Sequence, residues 1–366
     1  MNVKNLKRKT LEGYEPYTYG EQPNPKEKWI KLNTNENPYA PPQSVINEIK
    51  EAVNNKLRLY PDPTFKELRN LIIGKLLAKY DTVCNINNVI VGNGSDEIID
   101  MLMRSFVDPG DDIVVFKPSY GMYPAVAGIY GGNMVEIELT EDFGFPEQIY
   151  DVQGKLMFIC SPNNPTGQCI PNDIIAKLCE SFPGLIIVDE AYGDFSETSA
   201  LPLLKKYDNL SVMRTFSKAY CLASQRIGFL VAHENVINFM MGTKLPYNVS
   251  YLSQACAIAV IHNLEEYDEF IEKIIDERNR VSEAVEEAGL DVLKSDSNFI
   301  LIRFPEEKVA IKVFQDLKER KILVRQYNKK SLHKYLRVTI GTPEENDVFL
   351  KNFRESVDFI RGGRQN

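Results

Sequence analysis

Histidine is nearly absent. The 366-residue chain holds three, His233, His262 and His333, far apart and without the H-E-x-x-H or mixed cysteine–histidine spacing of a zinc site, which argues against a histidine-rich metal centre. Six cysteines (Cys84, Cys160, Cys169, Cys179, Cys221, Cys256) are scattered without a C-x-x-C pair, the pattern of reduced thiols in a cytoplasmic protein rather than of a disulfide framework. Long apolar runs are missing too. Runs such as residues 113–116 and 185–188 fall far short of the ~20 residues needed to cross a bilayer. Residues 1–10 are basic but residues 11–20 are polar and aromatic, so no export signal is expected. Nor is there a basic excess: Lys and Arg number 43 against 51 Asp and Glu, a net charge of -8, which speaks against a nucleic-acid partner. The chain has no internal repeat, low-complexity tract or Gly/Ser linker. What is there, 43% hydrophobic and 26% charged residues, is the balance of a folded, soluble protein.

The length allows roughly two domains. Short β-branched runs at 89–91, 113–116, 135–139, 156–159, 185–188, 212–215 and 229–231 alternate with amphipathic stretches at 96–106, 120–130 and 172–182, each bounded by Gly, Pro, Asn or Ser. Seven strands joined in this way predict an α/β fold, a mostly parallel sheet sandwiched by helices. From residue 253 the pattern becomes one long helical run ending near residue 289. Strands at 298–304, 322–325 and 336–340, with helices at 307–320 and the carboxy terminus, then predict a smaller α+β domain. The Pro-rich stretch 15–42 predicts an extended arm.

Chemistry concentrates where strands end. Ser217-Lys218 follows the strand 212–215, with Arg226 eight residues past the lysine. A lone Ser-Lys pair is usually a solvated surface, so its neighbours decide. Asp189, with Tyr192 three residues on, emerges at the end of the strand 185–188, where α/β proteins build sites and an acid can hold a cation; a helix-capping aspartate is the plain alternative. Ser161-Pro162-Asn163-Asn164-Pro165-Thr166-Gly167 makes a rigid loop that presents Asn164. Gly92-Asn93-Gly94-Ser95-Asp96 leads into a helix whose first amides favour an anion, or merely carries a Ser95 cap. Pyridoxal 5'-phosphate needs all of these at once. Its phosphate takes the helix N-terminus, its ring nitrogen an acid, its phenolate an Asn/Tyr pair, and its aldehyde condenses with a lysine amine.

The order of these motifs along the chain resembles the fold-type I pyridoxal-phosphate aminotransferases, over nearly the whole length. The likeness narrows to the histidinol-phosphate aminotransferases through Asn35-Glu36-Asn37-Pro38, Tyr60-Pro61-Asp62-Pro63, Pro118-Ser119-Tyr120-Gly121-Met122-Tyr123, Lys244-Leu245-Pro246-Tyr247-Asn248, Ser297-Asn298-Phe299 and Leu336-Arg337-Val338-Thr339-Ile340-Gly341. The resemblance implies that Lys218, Asp189 and Tyr192 carry the catalysis. It implies further that Tyr120 stacks on the cofactor ring, that Asn164 and Tyr192 bind its O3′, and that the Ser95 and Asp96 amides, Ser217 and Arg226 hold its phosphate, with Tyr60 arriving from a partner in a homodimer. Tyr17, rather than Tyr14, with Asn37, Arg325 and Arg337 would bind substrate. Two arginines suit a phosphate ester, with a pair of surface ion pairs as the plain alternative for Arg325 and Arg337. Where those enzymes usually read Leu-Ala-Gly-x-Arg this chain has Leu222-Ala223-Ser224-Gln225-Arg226, compatible if residue 224 needs no positive φ.

The domains expected on this basis are an arm at 1–45 belonging partly to the small domain, a cofactor-binding domain at 46–262 and a small domain at 263–366. The implied reaction is ping-pong transamination between histidinol phosphate and 2-oxoglutarate, the latter leaving as glutamate. An aromatic amino-acid aminotransferase and a lyase such as a threonine-phosphate decarboxylase share the same cofactor motifs and stay open as alternatives.

Overall fold

The computed structural model describes residues 6–82, 84–329 and 331–362. The arm is extended apart from a short turn at Lys9–Leu11 and β1 (Ile30–Lys31); α1 (Gln43–Ala52) and α2 (Lys66–Leu71), which runs on into a π turn, follow. The alternating part comprises β2 (Val89–Gly92), α3 (Ser95–Phe106), β3 (Asp112–Lys117), α4 (Met122–Tyr130), β4 (Asn133–Glu138), β5 (Leu156–Cys160), α5 (Asn172–Ser181), β6 (Leu185–Asp189), β7 (Leu210–Thr215) and β8 (Gly228–Ala232). Next come α6 (Glu234–Thr243), α7 (Tyr251–His262), α8 (Leu264–Glu287), β9 (Asp291–Leu293), β10 (Phe299–Arg303), α9 (Glu307–Glu319), β11 (Ile322–Leu323), β12 (Arg325–Gln326), β13 (Tyr335–Thr339) and α10 (Pro343–Gly362).

Seven strands form the central sheet in the order β2-β8-β7-β6-β5-β3-β4. All neighbours are parallel except β8, which runs antiparallel to both β2 and β7. The exception has a local cause. A parallel return needs a crossover of a dozen or more residues, usually a helix, whereas the link 216–227 between β7 and β8 contains only a short 3-10 turn. It folds straight back, and Phe216 N–H donates to Ile227 O at 2.9 Å, so Ser217 and Arg226 face one another across its mouth.

Both faces of the sheet are covered, which is why its strands read as near-continuous apolar runs. Side chains alternate between two cores: Val114, Met157, Ile186 and Val188 join one, Ile113, Val115, Leu156, Phe158 and Ile187 the other with α3 and α4. The same period of two puts Asp189 on the Ile187 face, toward α4.

Two expectations are corrected. The helical run after residue 253 is two helices, broken at Asn263, whose backbone leaves helical geometry (φ -120°, ψ 35°) while its amide donates to Glu48 Oε1 at 2.7 Å and Ala259 O at 2.8 Å. The strand expected at 322–325 divides at Val324. β11 pairs in parallel with β1 of the arm, and β12 joins the antiparallel sheet β12-β13-β10-β9. The arm is thereby stitched to the carboxy-terminal elements.

Candidate active site

The carboxyl ends of β5, β6 and β7 open into a cavity of about 850 Å³, closed on its far side by the arm and by β12 and β13. The loop after β5 is braced through Asn163, whose amide donates to Pro118 O at 3.0 Å and Thr166 Oγ1 at 3.1 Å while its Oδ1 accepts from Ser119 at 2.9 Å. Asn164 is thus held facing the cavity. Its Nδ2 donates to Tyr192 Oη at 3.3 Å, and Asn35 Nδ2 donates to the same oxygen at 2.9 Å. With both amides donating to it, the Tyr192 hydroxyl keeps its own proton for an acceptor in the cavity.

Asp189 ends β6 and is fully buried. Tyr123 Oη donates to its Oδ2 at 2.7 Å and the Ala191 N–H to its Oδ1 at 3.0 Å. Burial pushes its carboxyl up to about 6, and those two donors pull against the rise, so at neutral pH it is mostly an anion awaiting a cation. Lys218 is the opposite case. Burial, then the charge of Arg337, holds its amine down at about 8 against an ordinary 10.5. Its Nζ donates to Thr34 O at 3.1 Å.

At the opening of α3, Arg226 Nη2 donates to Asp96 Oδ2 at 3.0 Å and Nη1 to Ser217 Oγ at 3.4 Å; Tyr120 Oη donates to Asp96 Oδ1 at 3.0 Å. The Ser95 and Asp96 amides begin the helix, where no preceding turn supplies an acceptor. Glycine suits position 94: φ is +83°, which side chains rarely adopt, and a Cβ would sit 2.6 Å from Arg226 Nη2 and force that side chain to shift. Backbone amides, a serine hydroxyl and a guanidinium gathered at a helix N-terminus make a cradle for a phosphate. An acid, an amine and two phenolic partners complete the set pyridoxal phosphate requires, so the residues fit that cofactor.

A model of the family "Aminotransferase class I and II" matches residues 27–353. The chain belongs to that family. The histidinol-phosphate aminotransferase of Thermoanaerobacter pseudethanolicus is 37% identical over 365 residues, 96% of this chain and 99% of the relative. That of Rippkaea orientalis is 35% identical over 343 residues, 94% and 95% of the two chains. The solved histidinol-phosphate aminotransferase of Clostridium acetobutylicum aligns with a TM-score of 0.80 at 25% identity, covering 90% of this chain and 99% of that one. The Sinorhizobium meliloti enzyme, solved in complex with pyridoxal-5'-phosphate, aligns with a TM-score of 0.82 at 23% identity over 90% and 91% of the chains, a likeness of fold.

In this aminotransferase Ser95, Asp96, Tyr120, Asn164, Asp189, Tyr192, Ser217, Lys218, Arg226, Tyr17, Arg325 and Arg337 all line the one cavity. Asn37 does not. Its amide donates to Ala219 O at 2.9 Å and its Oδ1 accepts from Tyr39 N–H at 3.0 Å, so it supports the backbone beside Lys218, and Asn35 faces the site in its place. Tyr60 stands apart from this chain's own cavity, 81% exposed and stacked on Tyr247 at 4.5 Å. Tyr17 packs edge-on against Tyr120 at 5.8 Å; Tyr14 lines the cavity too, against Gly128. Arg337 Nη1 and Nη2 donate to Asn164 Oδ1 and Asn33 O, each at 2.6 Å, and Arg325 donates to Thr18 O at 3.1 Å and Tyr19 O at 3.3 Å. Among the described residues Arg325 is thus tied to backbone carbonyls of the arm rather than to a carboxylate. Ser224 forms part of an exposed 3-10 turn, and the positive φ in this loop falls on Cys221 and Arg226 instead, so the serine is accommodated. Tyr123 and Asn35 lay inside quoted motifs without a role; the period-two reading that aims Asp189 at α4 is the signal that could have found Tyr123.

Proposed function

We propose that this aminotransferase moves the amino group of L-histidinol phosphate to 2-oxoglutarate, yielding imidazole-acetol phosphate and L-glutamate in histidine biosynthesis, with pyridoxal 5'-phosphate as cofactor. One observation carries the substrate choice. Besides Arg226, which pairs with Asp96 beside the phosphate cradle, the cavity of Lys218 holds two more arginines, Arg325 and Arg337, more cationic charge than a single α-carboxylate demands. The curated relatives named above support the same reading.

When bound, the cofactor supplies an electron sink for the substrate carbon that loses its proton. The Ser95 and Asp96 amides, Ser217 and Arg226 would hold its phosphate, Tyr120 would contact its ring, and Asn164 and Tyr192 would bind its phenolic oxygen. Asp189, kept ionised by Tyr123 and the Ala191 amide, holds the ring nitrogen's proton. Lys218 is neutral often enough near pH 8 to accept the proton from the amine-bearing carbon and return it. Arg325, Arg337 and Tyr17 orient the substrate anion. The working unit is a homodimer with Tyr60 of a second copy reaching the cofactor phosphate; Val53, Leu57, Leu59, Tyr60, Leu245 and Tyr247, all exposed, supply apolar surface for it. We assign cofactor binding to residues 46–262 and substrate closure to 263–366 with part of the arm 1–45. A cytoplasmic location suits six unpaired cysteines. Among the described residues no helix is long and apolar enough to cross a membrane.

The test is glutamate formation from histidinol phosphate and 2-oxoglutarate, with phenylalanine, tyrosine and threonine phosphate in parallel. Histidinol phosphate should lead by at least about tenfold, ~1.4 kcal/mol of transition-state preference. A lead by phenylalanine or tyrosine, or carbon dioxide release from threonine phosphate, refutes the assignment.

A further inference from the structure

Several buried side-chain polar atoms lack a hydrogen-bond partner among the described residues; those of only two cavity-lining residues are in the set, Tyr327 Oη and Arg337 Nε. Both belong to the same corner. The Tyr327 ring lies close to both substrate-side arginines, with Arg325 Cζ 5.6 Å and Arg337 Cζ 6.0 Å from its centroid. Each Nη atom of the two arginines gives one N–H to the protein, Arg337 to Asn164 and Asn33 and Arg325 to the Thr18 and Tyr19 carbonyls, which leaves one N–H on each for a ligand. Burial raises the phenol above its ordinary value despite the two cations, so it remains an O–H donor at physiological pH. A buried donor without an acceptor is costly and rare. An acceptor entering this corner would sit against both arginines, a setting that favours an anion. A carboxylate offers two oxygens, which one guanidinium can satisfy; a phosphomonoester offers three terminal oxygens and two charges, enough for both arginines and the phenol.

We propose that Tyr327 is a substrate-specificity residue, its hydroxyl donating to a terminal oxygen of a phosphomonoester held by Arg325 and Arg337 and favouring that group over a carboxylate. This rests on the function proposed above for its choice of substrate, but the selectivity for phosphate can be measured independently. Tyr327→Phe keeps the ring beside the guanidinium groups and removes only the donor. In the holoenzyme it should raise KM for histidinol phosphate about tenfold while kcat and the KM for 2-oxoglutarate stay within about twofold. Calorimetric titration with inorganic phosphate should weaken by a similar factor, and with succinate, as a carboxylate probe, hardly at all. Equal weakening for phosphate and carboxylate, or no change in either, overturns the proposal. If the wild-type enzyme fails to use histidinol phosphate, the function proposed falls, and the phosphate-to-succinate ratio in the two proteins still decides the role of Tyr327.

Discussion

The amine of Lys218 gives the sharpest quantitative consequence. Burial and Arg337 lower it from 10.5 to about 8, which at pH 7 makes about a tenth of the amine neutral instead of about one part in three thousand, a gain of roughly 300-fold in reactive base. The causes have opposite signs and can be pulled apart. Arg337 lowers the value and Glu36 raises it. Arg337→Gln should therefore move the midpoint up, and Glu36→Gln should move it down, each by several tenths of a pH unit to about one. Trace acetylation of the cofactor-free protein between pH 6 and 11, with the Lys218 peptide quantified by mass spectrometry, reads the midpoint directly. The linkage sign follows: a folded value below the ordinary one means stability present above about pH 10.5 and lost as pH falls through about 8, on the order of 3 kcal/mol in all. Denaturation of wild type against Lys218→Met over that range provides a second measure. A labelling midpoint near 10.5, or both variants moving it the same way, would refute the electrostatic account.

Tyr123→Phe leaves the buried Asp189 carboxylate with the Ala191 amide as its remaining donor, so the variant should lose about 1–3 kcal/mol at pH 7. Because Asp189 titrates near 6, the deficit grows as pH rises through 6 and shrinks at pH 5; urea denaturation showing equal losses at both would contradict this role. Arg214 lies buried behind the site, donating to Glu190 Oε2 at 2.6 Å and Asp194 Oδ1 at 3.1 Å. Arg214→Met strands two carboxylates and should cost about 3–5 kcal/mol, visible as a lowered denaturation midpoint, and a loss below 1 kcal/mol would count against the network. Gly94→Ala should weaken pyridoxal phosphate binding measured by equilibrium dialysis, through both the left-handed φ and the clash with Arg226; unchanged affinity would remove that cradle from the site.

Strand runs, their alternation with helices, and the residues at strand ends were legible from the sequence because side-chain periodicity and Gly/Pro punctuation are local properties. All seven central strands lie where the apolar runs predicted them, to within two residues at each end. Lys218, Asp189 and Asn164 could be chosen because the carboxyl ends of parallel strands converge on one edge whatever the details of packing. Tertiary structure decided what depends on distant segments. Which asparagine of the 35–38 motif faces the cavity turned on the left-handed backbone of Asn35 (φ 56°) and its approach to Tyr192. The break at Asn263 came from Glu48 on another helix. Tyr123 reached Asp189, and Tyr327 came to lie beside Arg337, only when elements far apart in the chain packed together. The perturbed ionisation of Lys218 and Asp189 belongs to the same class, since burial and the field of remote charges exist only in the folded chain.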